Sequence, residues 1–134
     1  MPAFYTARRT HPGLAHTDVP PERLDVDIHL DEATLTLICS AHENVWHYFR
    51  LADGTLKPLP PQPEPLVFEP GDTYIALSPS ARQVTDSPTI ARFLHLYDTF
   101  NAEKLAAALL AHLIENASGA LFPEDVSVWV VEAR

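Results

Sequence analysis

The pattern of apolar and polar residues predicts a chain built mostly from strands, with two helices before the last strand. Residues 24–30 alternate apolar and polar side chains, as expected for a strand with one buried face. Residues 73–77 and 126–131 are almost continuously apolar, which is typical of strands covered on both faces. The dipeptide Asp53-Gly54 is a strong signal for a two-residue hairpin turn. Further strands are predicted at 34–39, 44–50 and 55–57.

Two helices are predicted at 87–97 and 102–117, where apolar residues recur at helical spacing. Ser87, which a proline follows, is the predicted N-cap of the first helix. Asn101 is the predicted N-cap of the second helix, and Leu109 lies at the centre of its apolar stripe. Together these elements predict the α+β class: a mostly antiparallel sheet sandwich of about seven strands with a helix pair packed on one face.

The length of 134 residues predicts a single domain over 1–134. Residues 1–23 are expected to form an irregular N-terminal segment, because prolines and a glycine interrupt it. Residues 58–70 hold six of the 13 prolines and predict an extended surface loop. This loop either connects two strands stiffly or docks in an aromatic groove of a partner protein.

Charge and composition narrow the classes of partner. The chain has 18 acidic and nine basic residues, which gives a formal charge of −9. Nucleic acids and anionic membranes attract clustered Lys and Arg, and the only basic pair is Arg8-Arg9, so neither is a predicted partner. No apolar run approaches the roughly 20 residues that span a bilayer. The first residues lack the order of a secretory signal, and the predicted location is cytoplasmic.

The residues alone assign no catalytic activity. The seven histidines form no His-Glu-x-x-His motif. Ser78 and Ser80 lack the Gly-x-Ser-x-Gly context of a hydrolase nucleophile. Cys39 is the single cysteine, which excludes an intramolecular disulfide, and its apolar strand predicts an inert buried thiol.

One ordered set of short motifs does point to a known family. Gly71-Asp72 opens an apolar strand that ends in Ser78-Pro79-Ser80, and two predicted helices separate it from the ending that starts at Glu124-Asp125. This order resembles the C-terminal half of the metal-dependent protein phosphatase 2C family, in which the strand ends in Ser/Thr-Asp-Gly and the last strand begins Asp-Asp or Asp-Asn. The similarity covers residues 24–134. The short connector after Asp53-Gly54 is similar to the stage II sporulation branch of that family.

The resemblance implies a reaction and a metal site. The family hydrolyses phosphoserine or phosphothreonine with a water held between two manganese or magnesium ions. In this chain the metal-binding Asp of the strand end is replaced by Pro79, and the Gly by Ser80. Glu124 and Asp125 alone keep a matching position, so they are a vestigial metal site, and no catalytic residue is predicted.

Two functional interpretations follow from this resemblance. The first is a pseudophosphatase, a non-catalytic interaction or regulatory module with no cofactor. The alternative is a phosphoserine or phosphothreonine phosphatase that uses manganese or magnesium in a rebuilt site. Asp72 and Asp86 would then be further available acids beside Glu124 and Asp125.

The expected partner is a protein of unknown identity, which includes a second copy of the chain. The full family architecture places a helix pair outside each of two sheets, whereas this sequence predicts one pair. One sheet face is therefore expected to lack cover, with Trp46, Tyr48 and Trp129 reaching it and favouring a homodimer. In the other interpretation these three aromatic residues fill the core of a single domain.

Overall fold

Two antiparallel sheets and two helices make up the described part of the chain. A computed structural model describes residues 3–11, 26–97, 101–117 and 125–134. The strands are β1 (Phe4–His11), β2 (Val26–Asp31), β3 (Thr36–Ala41), β4 (Trp46–Arg50), β5 (Leu56–Pro58), β6 (Leu66–Val67), β7 (Thr73–Leu77) and β8 (Val126–Ala133). The helices are α1 (Ser87–Leu96) and α2 (Ala102–Asn116), and a short 3₁₀ helix at Pro79–Gln83 follows β7. The strand order is β1-β8-β7-β4-β5 in one sheet and β2-β3-β6 in the other.

The five-stranded sheet is the middle layer of the fold. α1 and α2 cover one of its faces, and the core between them includes Ile75, Leu94 and Leu109. The three-stranded sheet covers the other face, where Leu37 and Tyr74 are buried. Because β7 is covered on both faces, all five of its residues are buried, which accounts for its continuous apolar sequence. The predicted α+β class, with a helix pair on one face of a sandwich, is confirmed.

The outer face of the three-stranded sheet is exposed. Along β2, Asp27, His29 and Asp31 point outward, while the intervening apolar residues face the sandwich core. On the same outer face, Ile38 of β3 is 49% exposed and Val67 of β6 is 66% exposed. The outer face therefore combines acidic side chains with two exposed apolar ones.

The three aromatic residues expected on that face lie elsewhere. Tyr48 is fully buried in the core on the helix side, and Trp46 packs against the same core. Trp129 packs against the core between the two sheets. The expectation that they reach an uncovered face was wrong, because β4 and β8 are inner strands whose two faces are both occupied.

The N-terminal segment also differs from the sequence-based expectation. Residues 1–23 were expected to be irregular, but β1 (Phe4–His11) pairs along its whole length with β8. β1 is an edge strand in which only Ala7 is fully buried, so its sequence shows little apolar periodicity. Residues 12–23 lie outside the described part. The Pro-rich loop at 58–70 is largely irregular, although the short strand β6 lies inside it.

The helix starts depend on local hydrogen bonds. The Asn101 side chain accepts a 3.0 Å hydrogen bond from the Lys104 N–H, which confirms Asn101 as the N-cap of α2. The N-cap of α1 is Asp86 rather than Ser87, because the Asp86 carboxylate accepts the Thr89 N–H at 2.8 Å. None of the described helices is long and apolar enough to cross a membrane.

Candidate functional site

The structure brings together the segments that carry the resemblance. β7 and β8 are antiparallel neighbours, with Leu77 opposite Val128. Ser78 directly follows β7, and Asp125 directly precedes β8. Because the two strands are antiparallel neighbours, both residues lie at the same end of this strand pair. Glu124, the other predicted vestigial ligand, lies outside the described residues.

Serine and threonine hydroxyls take part in joining the two strand ends. The Ser78 N–H donates to the Ser127 carbonyl at 2.9 Å, and the Ser127 N–H donates to the Ser78 hydroxyl at 2.8 Å. The Ser80 hydroxyl donates to the Asp125 carbonyl at 3.0 Å. The hydroxyls of Ser127 and Thr10 share a further hydrogen bond of 2.8 Å. All three serines are buried, and we call Ser78, Ser80 and Ser127 the serine cluster.

The serine cluster does not fit a two-metal centre. Manganese and magnesium take oxygen ligands, and a two-metal site needs several carboxylates that converge on one place. Pro79 has no donor atom in its side chain, and the Ser80 hydroxyl is already bonded to a backbone carbonyl. Within 3–11, 26–97, 101–117 and 125–134, no three His, Cys, Asp or Glu side chains come together where they could hold a metal ion.

Gly71 and Asp72, at the opposite end of β7, have a structural role. The buried Asp72 carboxylate accepts the Ala52 N–H and the Glu69 N–H, each at 2.8 Å, and so joins two loops. Gly71 has a φ of +98°, and a Cβ at this position would lie 2.9 Å from the Ala52 Cβ. Glycine is therefore required here both by its backbone conformation and by the close approach of Ala52.

Asp86, the other acid available to a rebuilt site, caps α1. Hydrogen bonds from Thr89 hold the pKa of Asp86 below its ordinary value. Asp72 and Asp86 thus serve as backbone acceptors, and among the described residues neither belongs to a group of three or more His, Cys, Asp or Glu side chains that could hold a metal ion.

A buried carboxylate at Glu132 was not identified from the sequence. It accepts the Ala102 N–H at the start of α2 at 2.8 Å, and it forms hydrogen bonds of 2.7 and 3.0 Å with the Arg134 guanidinium. Negative charge at a helix N-terminus is stabilising. The available signal was a single acidic residue within a strand in which Ser127 is the only other polar residue.

A second buried polar group also escaped sequence reasoning. His47 Nε2 lies 2.6 Å from the Pro60 carbonyl oxygen, and Nδ1 lies 2.9 Å from the Tyr74 hydroxyl. Since only a protonated Nε2 can bond a carbonyl, the neutral ring accepts the Tyr74 proton at Nδ1. Burial lowers the pKa of His47 and raises the pKa of Tyr74 and of Cys39.

The Pro-rich loop is held against this buried group. Besides the bond to Pro60, the Leu59 N–H donates to the His47 carbonyl at 2.9 Å, and the Ala41 N–H donates to the Pro61 carbonyl at 2.8 Å. These contacts favour the interpretation of the loop as a fixed connector between strands.

Comparison with solved structures identifies the architecture. The phosphatase domain of the cell fate determinant SpoIIE from Bacillus subtilis matches with a TM-score of 0.62 at 14% identity, over 78% of this chain and 53% of that one. The catalytic domain of the serine threonine protein phosphatase PstP, in complex with two manganese ions, matches with a TM-score of 0.60 at 11% identity over 99% of both chains. The chain has a PP2C-like fold.

Other comparisons limit what this likeness means. A longer SpoIIE structure, the PP2C phosphatase domain with a fragment of its regulatory domain, matches with a TM-score of 0.61 at 16% identity. This chain spans only 35% of that structure. No protein-family model matches the chain, and no curated protein matches it in sequence. At such low identity the similarity shows the PP2C-like fold alone.

Proposed function

We propose that this PP2C-like chain is a pseudophosphatase, a degenerate member of the family that binds another protein and hydrolyses no phosphoester. The observation that carries the proposal is the serine cluster at the ends of β7 and β8. By the resemblance, a metal-binding Asp belongs at Pro79 in this turn, and a proline supplies no ligand.

The positions of the described acids support the same function. The Asp72 carboxylate accepts two backbone N–H groups, and the Glu132 carboxylate is occupied by the start of α2 and by Arg134. Moving the Asp72 carboxylate to a metal would break the two hydrogen bonds that join its loops, and moving the Glu132 carboxylate would leave the buried Ala102 N–H unsatisfied. Of the four acids that the sequence offers to a rebuilt site, Asp72 and the helix cap Asp86 are occupied, which leaves Glu124 and Asp125, and one acidic pair is too few for two divalent ions.

The described core of the scaffold is well packed, which favours a binding role over a decayed protein. Both faces of the five-stranded sheet are covered by packed apolar cores. A fold can host many unrelated functions, so loss of the metal site leaves the outer surfaces free to serve recognition. A pseudophosphatase of this kind acts through its shape.

A hydrolysis assay tests the loss of catalysis. Purified protein is incubated with p-nitrophenyl phosphate and with a phosphothreonine peptide in millimolar Mn²⁺ or Mg²⁺, with the PstP catalytic domain as the positive control. We expect release of product at the rate of the no-enzyme blank, because no metal-bound water is generated. Metal-dependent turnover that Asp125→Ala abolishes, in a variant that remains folded by circular dichroism, would show that a rebuilt site exists.

A further inference from the structure

We propose that a groove between α1 and α2 binds an acidic, amphipathic segment of a protein partner. This inference rests on the proposed role of the chain as an interaction module. The groove has a volume of about 390 Å³, within the range of about 300–1,000 Å³ in which ligand sites fall. Its lining residues, all described, are Thr89, Arg92, Phe93, Leu96, Tyr97 and His112.

Stacked rings form an apolar surface in this groove. The Phe93 ring stacks on Tyr97, with centroids 5.3 Å apart and an interplanar angle of 16°. It also stacks on His112 of α2, with centroids 4.5 Å apart and an angle of 22°. Rings held by two helices lose little conformational entropy on binding, which suits them to receive an apolar side chain.

An exposed leucine borders the rings. Leu96 is 70% exposed, whereas Ile90 and Leu94 of the same helix are fully buried in the core. Phe93, Tyr97 and His112 are half-buried, so Leu96 is the exposed apolar side chain beside partly accessible rings in a concave surface, which is typical of an interaction site. By contrast, Ile38 and Val67 lie on the outer face of a sheet with Asp27 and Asp31.

The charge of the lining selects the partner. The groove presents the Arg92 guanidinium and the His112 imidazole, and none of its six lining residues is a carboxylate. Arg92 is therefore the charged side chain of the lining, in a chain where acids outnumber Lys and Arg by 18 to nine. Besides the hydrogen bonds from Thr89, which contribute more, the Arg92 charge also contributes to lowering the pKa of Asp86 at the start of α1. A complementary ligand therefore carries negative charge beside its apolar side chain.

The shape favours a chain segment over a compact small molecule. A second depression of about 420 Å³ shares Leu96 and Tyr97 with the groove and extends past His95 to the Asp53-Gly54 turn. The Asp53 carboxylate lines this second depression and not the groove that holds Arg92. The two depressions together offer an elongated surface along α1. An amphipathic helix or extended peptide fits such a surface, with one apolar residue on the rings and acids near Arg92.

Peptide selection on the full-length protein tests the proposal. A display library of random peptides is selected on the wild-type chain, and affinities of the enriched peptides are measured by fluorescence polarisation. We expect enriched peptides that combine net negative charge with an aromatic or aliphatic residue. Leu96→Glu and Arg92→Glu should each weaken binding by at least about tenfold, which corresponds to about 1.4 kcal/mol.

The controls separate the groove from other surfaces. Ile38→Glu, on the outer face of the three-stranded sheet, should leave peptide affinity unchanged. Leu96 and Ile38 are both exposed, so neither substitution should unfold the chain, and circular dichroism checks this. The proposal is overturned if no peptide is enriched, if the enriched peptides are neutral or basic, or if they bind Leu96→Glu as tightly as wild type.

Two further results have separate meanings. If the wild-type chain sediments as a dimer and Leu96→Glu sediments as a monomer, the occupant of the groove is a second copy of the chain, and the proposed foreign segment is wrong. Metal-dependent turnover in the hydrolysis assay would overturn the pseudophosphatase function and leave a peptide result in the groove intact. Likewise, if no peptide binds the groove, the proposed absence of phosphatase activity still stands.

Discussion

Substituting Ser78 tests whether the serine cluster holds the two strand ends together. In Ser78→Ala the Ser127 N–H loses the hydroxyl oxygen that accepts it at 2.8 Å, and both residues are buried. The bond from the Ser78 N–H to the Ser127 carbonyl remains, so the strand pairing is kept. The perturbation is therefore one buried donor without an acceptor.

The size of the effect follows from that lost acceptor. An unsatisfied buried N–H costs about 1–3 kcal/mol, a substantial part of the roughly 5–15 kcal/mol that stabilises a small domain. We expect urea denaturation of Ser78→Ala to show a free energy of unfolding lower by about 1–3 kcal/mol at an unchanged m-value. Ser40→Ala, at an exposed position on β3, is the matched control and should change stability by less than about 0.5 kcal/mol.

A small effect at Ser78 would refute the reasoning. If Ser78→Ala costs no more than Ser40→Ala, water reaches the strand ends and replaces the hydroxyl. The turn after β7 would then be an open, hydrated site rather than a closed hydrogen-bonded one, and the structural case against a metal there would fail.

Two other predictions concern the core and the pH dependence. Leu109→Ala should lower the free energy of unfolding by about 2–5 kcal/mol, because Leu109 is fully buried under the sheet. Ile114→Ala is the control and should cost much less, because Ile114 is 38% exposed. Equal costs in urea denaturation would mean that this face of α2 is not packed. Burial lowers the pKa of His47 below the 6.5 of the unfolded chain, so its contribution to stability is complete above pH 6.5 and is lost as the pH falls through the folded pKa. Below pH 6.5, the free energy of unfolding should depend less on pH in His47→Gln than in the wild type. His29→Gln should match the wild type, because His29 is exposed. Identical pH slopes in the wild type and both variants would contradict the buried, neutral His47.

Sequence reasoning identified the elements whose burial is periodic or complete. β7 was predicted at its observed bounds because all its residues are buried on both faces. The cap of α2 at Asn101 is a local interaction, and it was also predicted. β1 was missed because an edge strand with one fully buried residue has almost no apolar pattern. Its pairing partner, β8, lies at the other end of the chain.

The candidate site was predictable in part. Its location came from the order of short motifs, which placed Ser78-Pro79-Ser80 near Asp125, and the structure brings these residues together. The hydrogen bonds that close the site were not predictable, because they join residues far apart in sequence, such as Thr10 and Ser127. His47 gave no signal for the same reason: its burial depends on Tyr74 and on the Pro-rich loop.

Titration of Mn²⁺ into the purified chain tests most directly whether the serine cluster has replaced the metal centre. A metal that binds only the folded chain must also raise its melting temperature, so calorimetric titration and thermal denaturation are read together. We predict heats equal to those of dilution and an unchanged melting temperature at millimolar Mn²⁺. Saturable binding with a raised melting temperature, both lost in Asp125→Ala, would contradict the proposed loss of the metal site.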